Sequence, residues 1–176
     1  MKRWAALLKG VNVGGNRKLP MAELKAICEK LGYTEVKTLL ASGNVVFTAK
    51  GSAADIVRDL EKALAAHGLA TDVLLRDKEE LGAILAANPF PDAAEAHPNH
   101  LLVTFLREPY RQALLDKLPE IYSGPERLKA IGLELYIDYP VDMGNSKLPQ
   151  AMAKLKGPKV ATGRNWNSVG KLYDLL

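Results

Sequence analysis

The chain has 176 residues, of which 48% are hydrophobic and 25% are charged, and its formal net charge is +4. This length suits one domain or two small subdomains that share a core, and the composition excludes a largely disordered chain. A mildly basic balance permits contact with anions or nucleic acid but does not require it.

The single cysteine, Cys28, excludes an intramolecular disulfide and suits a reducing compartment. Residues 2–8 place a basic pair before apolar residues, as a signal peptide does, but Lys9 ends that apolar run too early. No apolar run approaches the roughly 20 residues that span a bilayer. The sequence therefore predicts a cytoplasmic protein with no membrane partner.

The first half of the chain contains six predicted elements. They are a strand at 3–8, a helix from Pro20 to Gly32, a hairpin of 35–39 and 44–48, a helix from Ser52 to Gly68, and a strand at 71–76. This order predicts a ferredoxin-like βαββαβ subdomain over residues 1–77. Apolar residues on both faces of its strands indicate that the rest of the chain covers the second face.

Residues 78–176 predict a second, smaller α+β subdomain that packs against the first in one compact unit. Its predicted elements are a helix at 78–87, a loop at 88–99, a strand at 101–106, a helix at 109–118, a hairpin of 127–131 and 133–139, and two C-terminal helices at 147–155 and 165–175. No convincing sequence repeat indicates a duplication. The predicted fold class is α+β.

Five motifs in order resemble a bacterial domain-of-unknown-function family, number 1697. They are Leu7–Gly15, Leu19–Met21, Ser42–Asn44, Asn88–Phe90 and Arg164–Asn167, the last followed by Lys171 and Leu172. The resemblance covers essentially the whole chain and implies a ferredoxin-like first part followed by a second α+β part. It implies no catalytic residues, because the role of the family is not established.

The chain departs from the usual motifs of that family at three positions. Lys9 stands where arginine is expected, and Gly163 and Ser168 stand where threonine is commoner. The first change matters if the arginine binds a ligand through two parallel hydrogen bonds, because lysine cannot replace it there.

The connection Gly10–Lys18 is the first candidate site. It follows a strand and leads into a helix, where backbone N–H groups can gather around an anion. It lacks the Walker A and dinucleotide-binding spacings, and the alternative is a tight connector whose glycines adopt positive φ. The candidate ligand-binding residues are Lys9, Gly10, Asn12, Gly14, Gly15, Arg17, Lys18 and, from the hairpin, Asn44.

The second candidate site is the stretch 143–173, which contains no aspartate or glutamate. Its basic residues are Lys147, Lys154, Lys156, Lys159, Arg164 and Lys171. Such a segment can hold phosphates, or it can simply be a solvated helix face. Within it, Arg164, Asn165, Trp166 and Asn167 could stack on a base and read its edge. Alternatively, Thr162 or Asn165 caps the last helix while Trp166 anchors that helix to the core.

Other groups of residues give weaker indications of a functional site. An RNA-recognition motif shares this order of elements, but it needs exposed aromatic residues on its central strands, and the third strand offers only Phe47. His97 and His100 lack the spacing of a metal site, and Glu134 with Asp138 is either an acid pair or two surface carboxylates. The sequence therefore predicts neither a metal nor a cofactor, and it leaves enzyme status open.

The leading hypothesis is a protein that binds an anionic ligand, nucleotide-like or nucleic acid, through the Gly10–Lys18 loop and the basic C-terminal segment. One alternative is an enzyme that acts on a small phosphorylated substrate in a cleft between the two halves. That alternative expects Lys9, Arg17, Asn44 and Arg164 to converge on one pocket. Another alternative is a homodimeric interaction module without a ligand, and the sequence does not separate a monomer from a homodimer.

Overall fold

The computed structural model describes residues 1–12 and 18–176 and divides into two compact units. Unit 1 consists of residues 1–83 and 171–176, and unit 2 consists of residues 84–170. Each unit contains a four-stranded antiparallel sheet together with helices, so the predicted α+β class is confirmed.

The elements of unit 1 follow the predicted order. They are β1 (Lys2–Leu8), α1 (Met21–Lys30), β2 (Thr34–Leu39), β3 (Asn44–Ala49), α2 (Ala53–Ala66) and β4 (Val73–Arg76), followed by α3 (Lys78–Ala86), within which unit 2 begins. The sheet order is β2-β3-β1-β4, with the first and third strands in the centre. This is the ferredoxin-like arrangement that the order of elements predicts.

The helices of unit 1 begin and end as the sequence predicts. The Ser52 side chain accepts a hydrogen bond of 3.1 Å from the Asp55 N–H and so caps α2. Helix α1 starts directly after Pro20, and Leu24 and Cys28 on its inner face are fully buried. Local sequence signals are therefore sufficient for these two helices.

Both faces of the central strands of unit 1 are covered. Val45 and Phe47 lie in one hydrophobic core, while Ala5 and Val46, whose side chains leave the opposite face, are also fully buried. The Phe47 ring stacks on the Tyr33 ring inside that core, with 4.5 Å between the ring centroids. Phe47 is therefore not available to stack on a base, as an RNA-recognition motif requires.

Unit 2 repeats the strand order of unit 1. Its elements are α4 (Pro91–Ala96), a 3-10 turn (Pro98–His100), β5 (Leu101–Leu106), α5 (Gln112–Leu115), α6 (Leu118–Ile121), β6 (Arg127–Ile131), β7 (Glu134–Asp138), α7 (Leu148–Lys154), β8 (Ala161–Asn165) and the first half of α8 (Trp166–Leu175). The sheet order is β6-β7-β5-β8, so the first and third strands again lie in the centre. The sequence did not indicate this duplication of topology.

The two predicted C-terminal helices are present as α7 and α8, but the sequence did not predict the strand β8 between them, which forms an edge of the sheet by pairing with β5. Two other local predictions in the second half are wrong. The stretch predicted as a polar loop contains α4, with Pro91 at its first position, and the helix predicted over 109–118 is two short helices, α5 and α6. The residues of β8 carry little strand propensity, so it is the pairing with β5 that defines this strand.

The division into units differs from the predicted boundary after residue 77. Unit 1 extends to residue 83 and also takes in the last six residues of the chain. The Arg3 guanidinium helps to explain why the last residues belong to unit 1, because it donates two hydrogen bonds to the Leu175 carbonyl, at 3.2 and 3.3 Å. The C-terminal end of α8 is thereby fixed to β1.

Within the described part of the chain, no helix is long and apolar enough to cross a bilayer.

Candidate functional site

The Asn12 side chain links the two parts of the Gly10–Lys18 connection that the structure describes, residues 10–12 and the segment that begins at Lys18. Its Nδ2 donates to the Leu19 carbonyl at 2.9 Å, and its Oδ1 accepts from the Leu19 N–H at 2.7 Å. The same Nδ2 donates to the Ala41 carbonyl at 2.6 Å, in the turn between β2 and β3. The amide of Asn12 therefore fastens the two sides of the loop to each other and to the hairpin. Gly14, Gly15 and Arg17 lie outside the described residues.

The hairpin motif around Asn44 packs directly against the end of β1. The Leu8 N–H donates to the Gly43 carbonyl at 2.9 Å, and a Cβ on Gly43 would lie 3.0 Å from the Leu8 Cβ. The fully buried Asn44 donates from Nδ2 to the Leu39 carbonyl and to the Ser42 hydroxyl, both at 2.9 Å. These contacts give Asn44 a structural role in the turn.

A cavity of about 400 Å³ lies beside the loop. Its lining residues are Asn12, Lys18, Leu19, Pro20, Met21 and Ala41. Most of this lining is apolar, and the exposed Lys18 supplies its positive charge. The cavity therefore suits a small ligand that combines an apolar part with a negative charge.

Lys9 lines a different cavity of unit 1, about 370 Å³ in volume, together with Glu61 and Asp72. Its ammonium group lies 4.0 Å from the Asp72 carboxylate, and its carbonyl accepts a hydrogen bond from the Thr71 hydroxyl. Lys9 and Lys18 consequently do not line the same described cavity, although both flank the glycine loop in the sequence.

Arg164 is a buried residue of the sheet in unit 2. Its Nη1 donates to the Thr162 hydroxyl and to the Gly163 carbonyl, both at 2.8 Å. Burial lowers the pKa of this guanidinium to about 10, and the side chain is only 6% exposed. The arginine is therefore protonated at neutral pH but largely withdrawn from solvent.

The residues after Arg164 make structural contacts. The Asn165 Oδ1 accepts from the Ser168 N–H at 2.9 Å and so caps the start of α8, as one of the two sequence interpretations expected. The Asn167 side chain donates to the Asn99 Oδ1 at 2.6 Å, and Trp166 is half-buried. These contacts favour the structural interpretation of the motif over base recognition.

Four lysines of the basic segment are exposed on unit 2. They are Lys147, Lys154, Lys156 and Lys159. Because Arg164 is buried, these lysines carry the positive charge that unit 2 presents to solvent from this segment. Lys171 is exposed as well, but it belongs to unit 1.

Asp138 is the centre of a charged cluster that the sequence did not predict. This carboxylate is 1% exposed, with His97 Nε2 at 2.6 Å from Oδ1 and Arg127 Nε at 2.9 Å from Oδ2. Arg127 also binds Asp92 at 2.9 Å and lies over the Phe90 ring at 4.6 Å. Asp138 therefore forms its hydrogen bonds with His97 and Arg127, not with the acid partner that the sequence suggested.

Among the described residues, no group of three histidine, cysteine, aspartate or glutamate side chains is placed to hold a metal ion. Cys28 is fully buried in the core of unit 1, and burial raises the pKa of its thiol to about 12. The position of Cys28 on an apolar helix face predicted such an inert core thiol.

Comparison with known proteins identifies a family and one similar fold. A family model described as "Protein of unknown function (DUF1697)" matches residues 1–136. The structure of conserved bacterial protein SP0830 from Streptococcus pneumoniae is similar, with a TM-score of 0.76 and 27% sequence identity, over 98% of this chain and 97% of that chain. No curated protein matches the sequence.

Proposed function

The chain belongs to the DUF1697 family of proteins of unknown function, and we propose that it binds a small, nucleotide-like anion beside the Gly10–Lys18 loop. The observation that carries this proposal is the position of the Asn12 side chain. Its amide makes three hydrogen bonds that join the two sides of the loop, and it lies next to a cavity large enough for a small ligand. Because Asn12 already orders the frame of the site, less entropy is lost there when a ligand binds.

The charge of the loop supports an anion. Arg17 and Lys18 follow the glycines, and α1 begins three residues after Lys18, so the partial positive charge of its N-terminus is close to Lys18 along the chain. Pro20 and Met21, at the start of that helix, line the cavity. The N-terminus of α1 and the Lys18 ammonium group both favour a negatively charged ligand at this cavity.

The volume and the lining of the cavity suit a small molecule. Its volume of about 400 Å³ falls within the range of small-ligand sites. Leu19, Pro20, Met21 and Ala41 provide an apolar surface on which a ring can pack, while Lys18 marks the charged side. A phosphate joined to an aromatic ring system matches that division.

Calorimetric titration of the full chain with ADP and with inorganic pyrophosphate at low salt tests the proposal. We expect saturable binding of ADP, and we expect Lys18→Ala or Arg17→Ala to weaken it about tenfold, because charge-assisted hydrogen bonds to phosphate are lost. Lys30→Ala, at the far end of α1, removes the same charge from an exposed position and should change the affinity less than about twofold.

The outcome separates the remaining hypotheses. Absence of saturable ADP and pyrophosphate binding at low salt would reject the proposal. Tighter binding of a short oligonucleotide that depends on Lys154 and Lys156 would instead favour nucleic acid as the ligand. The enzyme with a cleft between the halves and the ligand-free homodimer stay predictions from the sequence, and light scattering of the same samples distinguishes a monomer from a homodimer.

A further inference from the structure

Unit 2 contains a second cavity with a different chemical character, about 380 Å³ in volume. It lies among α5, α6 and the start of β6. Apolar side chains form much of its wall, and one carboxylate reaches it; the main lining residues are Leu115, Leu118, Pro119, Tyr122, Glu126 and Leu128. Its volume falls within the range of small-ligand sites.

The carboxylate of Glu126 is held in place by two hydroxyl groups. The Tyr122 hydroxyl lies 2.8 Å from each carboxylate oxygen, and the Ser146 hydroxyl donates to Oε1. Burial opposes ionisation of Glu126, but these hydrogen bonds outweigh it and keep its pKa below the ordinary value of 4.5. The group is therefore an anion at neutral pH, and a carboxylate has about four acceptor positions, so two hydroxyls do not saturate it.

Gly124 makes this arrangement sterically feasible. A Cβ at that position would meet the Tyr122 hydroxyl and lie 2.5 Å from the Glu126 Oε2. Any larger residue would push the tyrosine and the carboxylate out of their positions. A glycine here thus allows the hydrogen-bonded pair to form at the edge of the cavity.

We propose that this cavity binds a small organic ammonium ion, whose charge pairs with Glu126 and whose apolar body packs against Leu115, Leu118 and Leu128. An ammonium group brings three donors, which suit one carboxylate and a neighbouring hydroxyl oxygen. A calcium ion needs six to eight oxygen ligands, and the described lining offers a single carboxylate. The site is separate from the anion site of unit 1 and does not depend on it.

Two probes of nearly equal shape test the proposal in the unmodified chain. Benzylamine is a cation at neutral pH, and benzyl alcohol is its neutral counterpart. In an amide NMR titration, we expect benzylamine to shift the signals of Leu118, Gly124 and Leu128 in a saturable manner. We expect benzyl alcohol to bind about tenfold more weakly, because it lacks the charge-assisted contact.

Three variants test whether Glu126 supplies the negative charge that binds the ammonium group. Glu126→Gln keeps the size and the acceptor oxygen for the two hydroxyls, and it should weaken benzylamine about tenfold. Glu120→Gln, on the exposed side of α6, changes the net charge equally and should leave the affinity within about twofold. Gly124→Ala keeps Glu126 but displaces it, so it should weaken benzylamine as much as Glu126→Gln does.

Equal affinities for benzylamine and benzyl alcohol would overturn the proposal, as would benzylamine binding that is unchanged in both Glu126→Gln and Gly124→Ala. The amide spectrum of each variant reports whether it is folded. The comparison of the two probes in the unmodified chain decides the question even if a variant does not fold.

Discussion

In unit 1, two side-chain amides hold the loop after β1 and the adjacent hairpin turn, whereas in unit 2 two carboxylates, one buried and one half-buried, each bind a pair of neighbouring side chains. In unit 1, Asn12 joins the loop after β1 to the hairpin, and Asn44 closes the hairpin turn. In unit 2, Asp138 binds His97 and Arg127, and Glu126 binds two hydroxyls. The two units nevertheless share one strand order.

The difference shows that repeating a topology does not repeat a site. The sheet order fixes where the connections lie, but the residues in the connections decide which charge they present. Lys18 lies at the cavity of unit 1 and Glu126 at the cavity of unit 2. One topology used twice can therefore place a cationic side chain at one cavity and an anionic side chain at the other.

The largest expected effect of a single substitution is at Asp138. Asp138→Ala removes the hydrogen bonds that this buried carboxylate accepts from Arg127 and His97, and we expect the free energy of unfolding of unit 2 to fall by about 3 kcal/mol. Asp138→Asn keeps an acceptor and should cost less. Chemical denaturation followed by tryptophan fluorescence measures this, in a Trp4→Phe background, so that Trp166 of unit 2 is the reporter.

A matched control comes from the same cluster. Asp92 also binds Arg127, but its side chain is 69% exposed, so Asp92→Asn should lower the unfolding free energy only slightly. If Asp138→Ala were as mild as Asp92→Asn, the buried carboxylate would not be what stabilises unit 2, and the proposed contrast between the units would be lost.

The next effect concerns the residues that frame the proposed anion site of unit 1. Gly43 has a φ of +88°, and a Cβ there would lie 3.0 Å from Leu8 Cβ and 3.3 Å from Val11 Cβ. Gly43→Ala therefore combines an unfavourable backbone conformation with a steric contact, and we expect a loss of about 2 kcal/mol in the free energy of unfolding. Thermal or chemical unfolding with Trp4 as the reporter measures it.

Gly68 separates the effect of the backbone conformation from the effect of the steric contact. Its φ is +92°, but a Cβ at this position would have no atom of the described residues within 4 Å beyond its chain neighbours. Gly68→Ala should therefore cost only the backbone contribution of about 1 kcal/mol. Equal losses at Gly43 and Gly68 would show that the packing of the hairpin against β1 contributes nothing to the frame.

Local signals account for most of unit 1 but for less of unit 2. Helix α2 has a serine cap and a regular apolar face, and both are properties of a few consecutive residues. Strand β8 contains Gly163 and Asn165, which are weak strand formers, and its register depends on β5, which is far away in the sequence. A pattern read along the chain cannot supply that partner.

The candidate sites show the same limit. The motifs around Asn12 and Asn44 were recognised from the sequence, but the structure uses both side chains to hold backbone atoms. The cluster at Asp138 was missed because His97 lies 41 residues away and Arg127 lies 11 residues away. A carboxylate at the end of a strand looks like a surface residue until its partners are placed.

The smallest expected effects compare one buried tyrosine from each unit. In unit 2, the Tyr136 hydroxyl donates to the Ile84 carbonyl at 2.6 Å, so Tyr136→Phe leaves a buried carbonyl short of a donor. In unit 1, the buried Tyr33 hydroxyl has no hydrogen-bond partner among the described residues. We expect Tyr136→Phe to cost about 1 kcal/mol in unfolding free energy and Tyr33→Phe to cost nothing or to stabilise slightly.

The dependence of the unfolding free energy on pH above 10 gives a further test of the buried Tyr33 hydroxyl. Burial raises the pKa of Tyr33 from 10.0 to about 12, so the folded chain holds this proton more tightly than the unfolded chain does. The contribution is fully present below pH 10 and is lost as the pH rises toward 12. The unmodified chain should therefore lose stability more steeply than Tyr33→Phe across that interval, and parallel curves would show that the Tyr33 hydroxyl is solvated in the folded state.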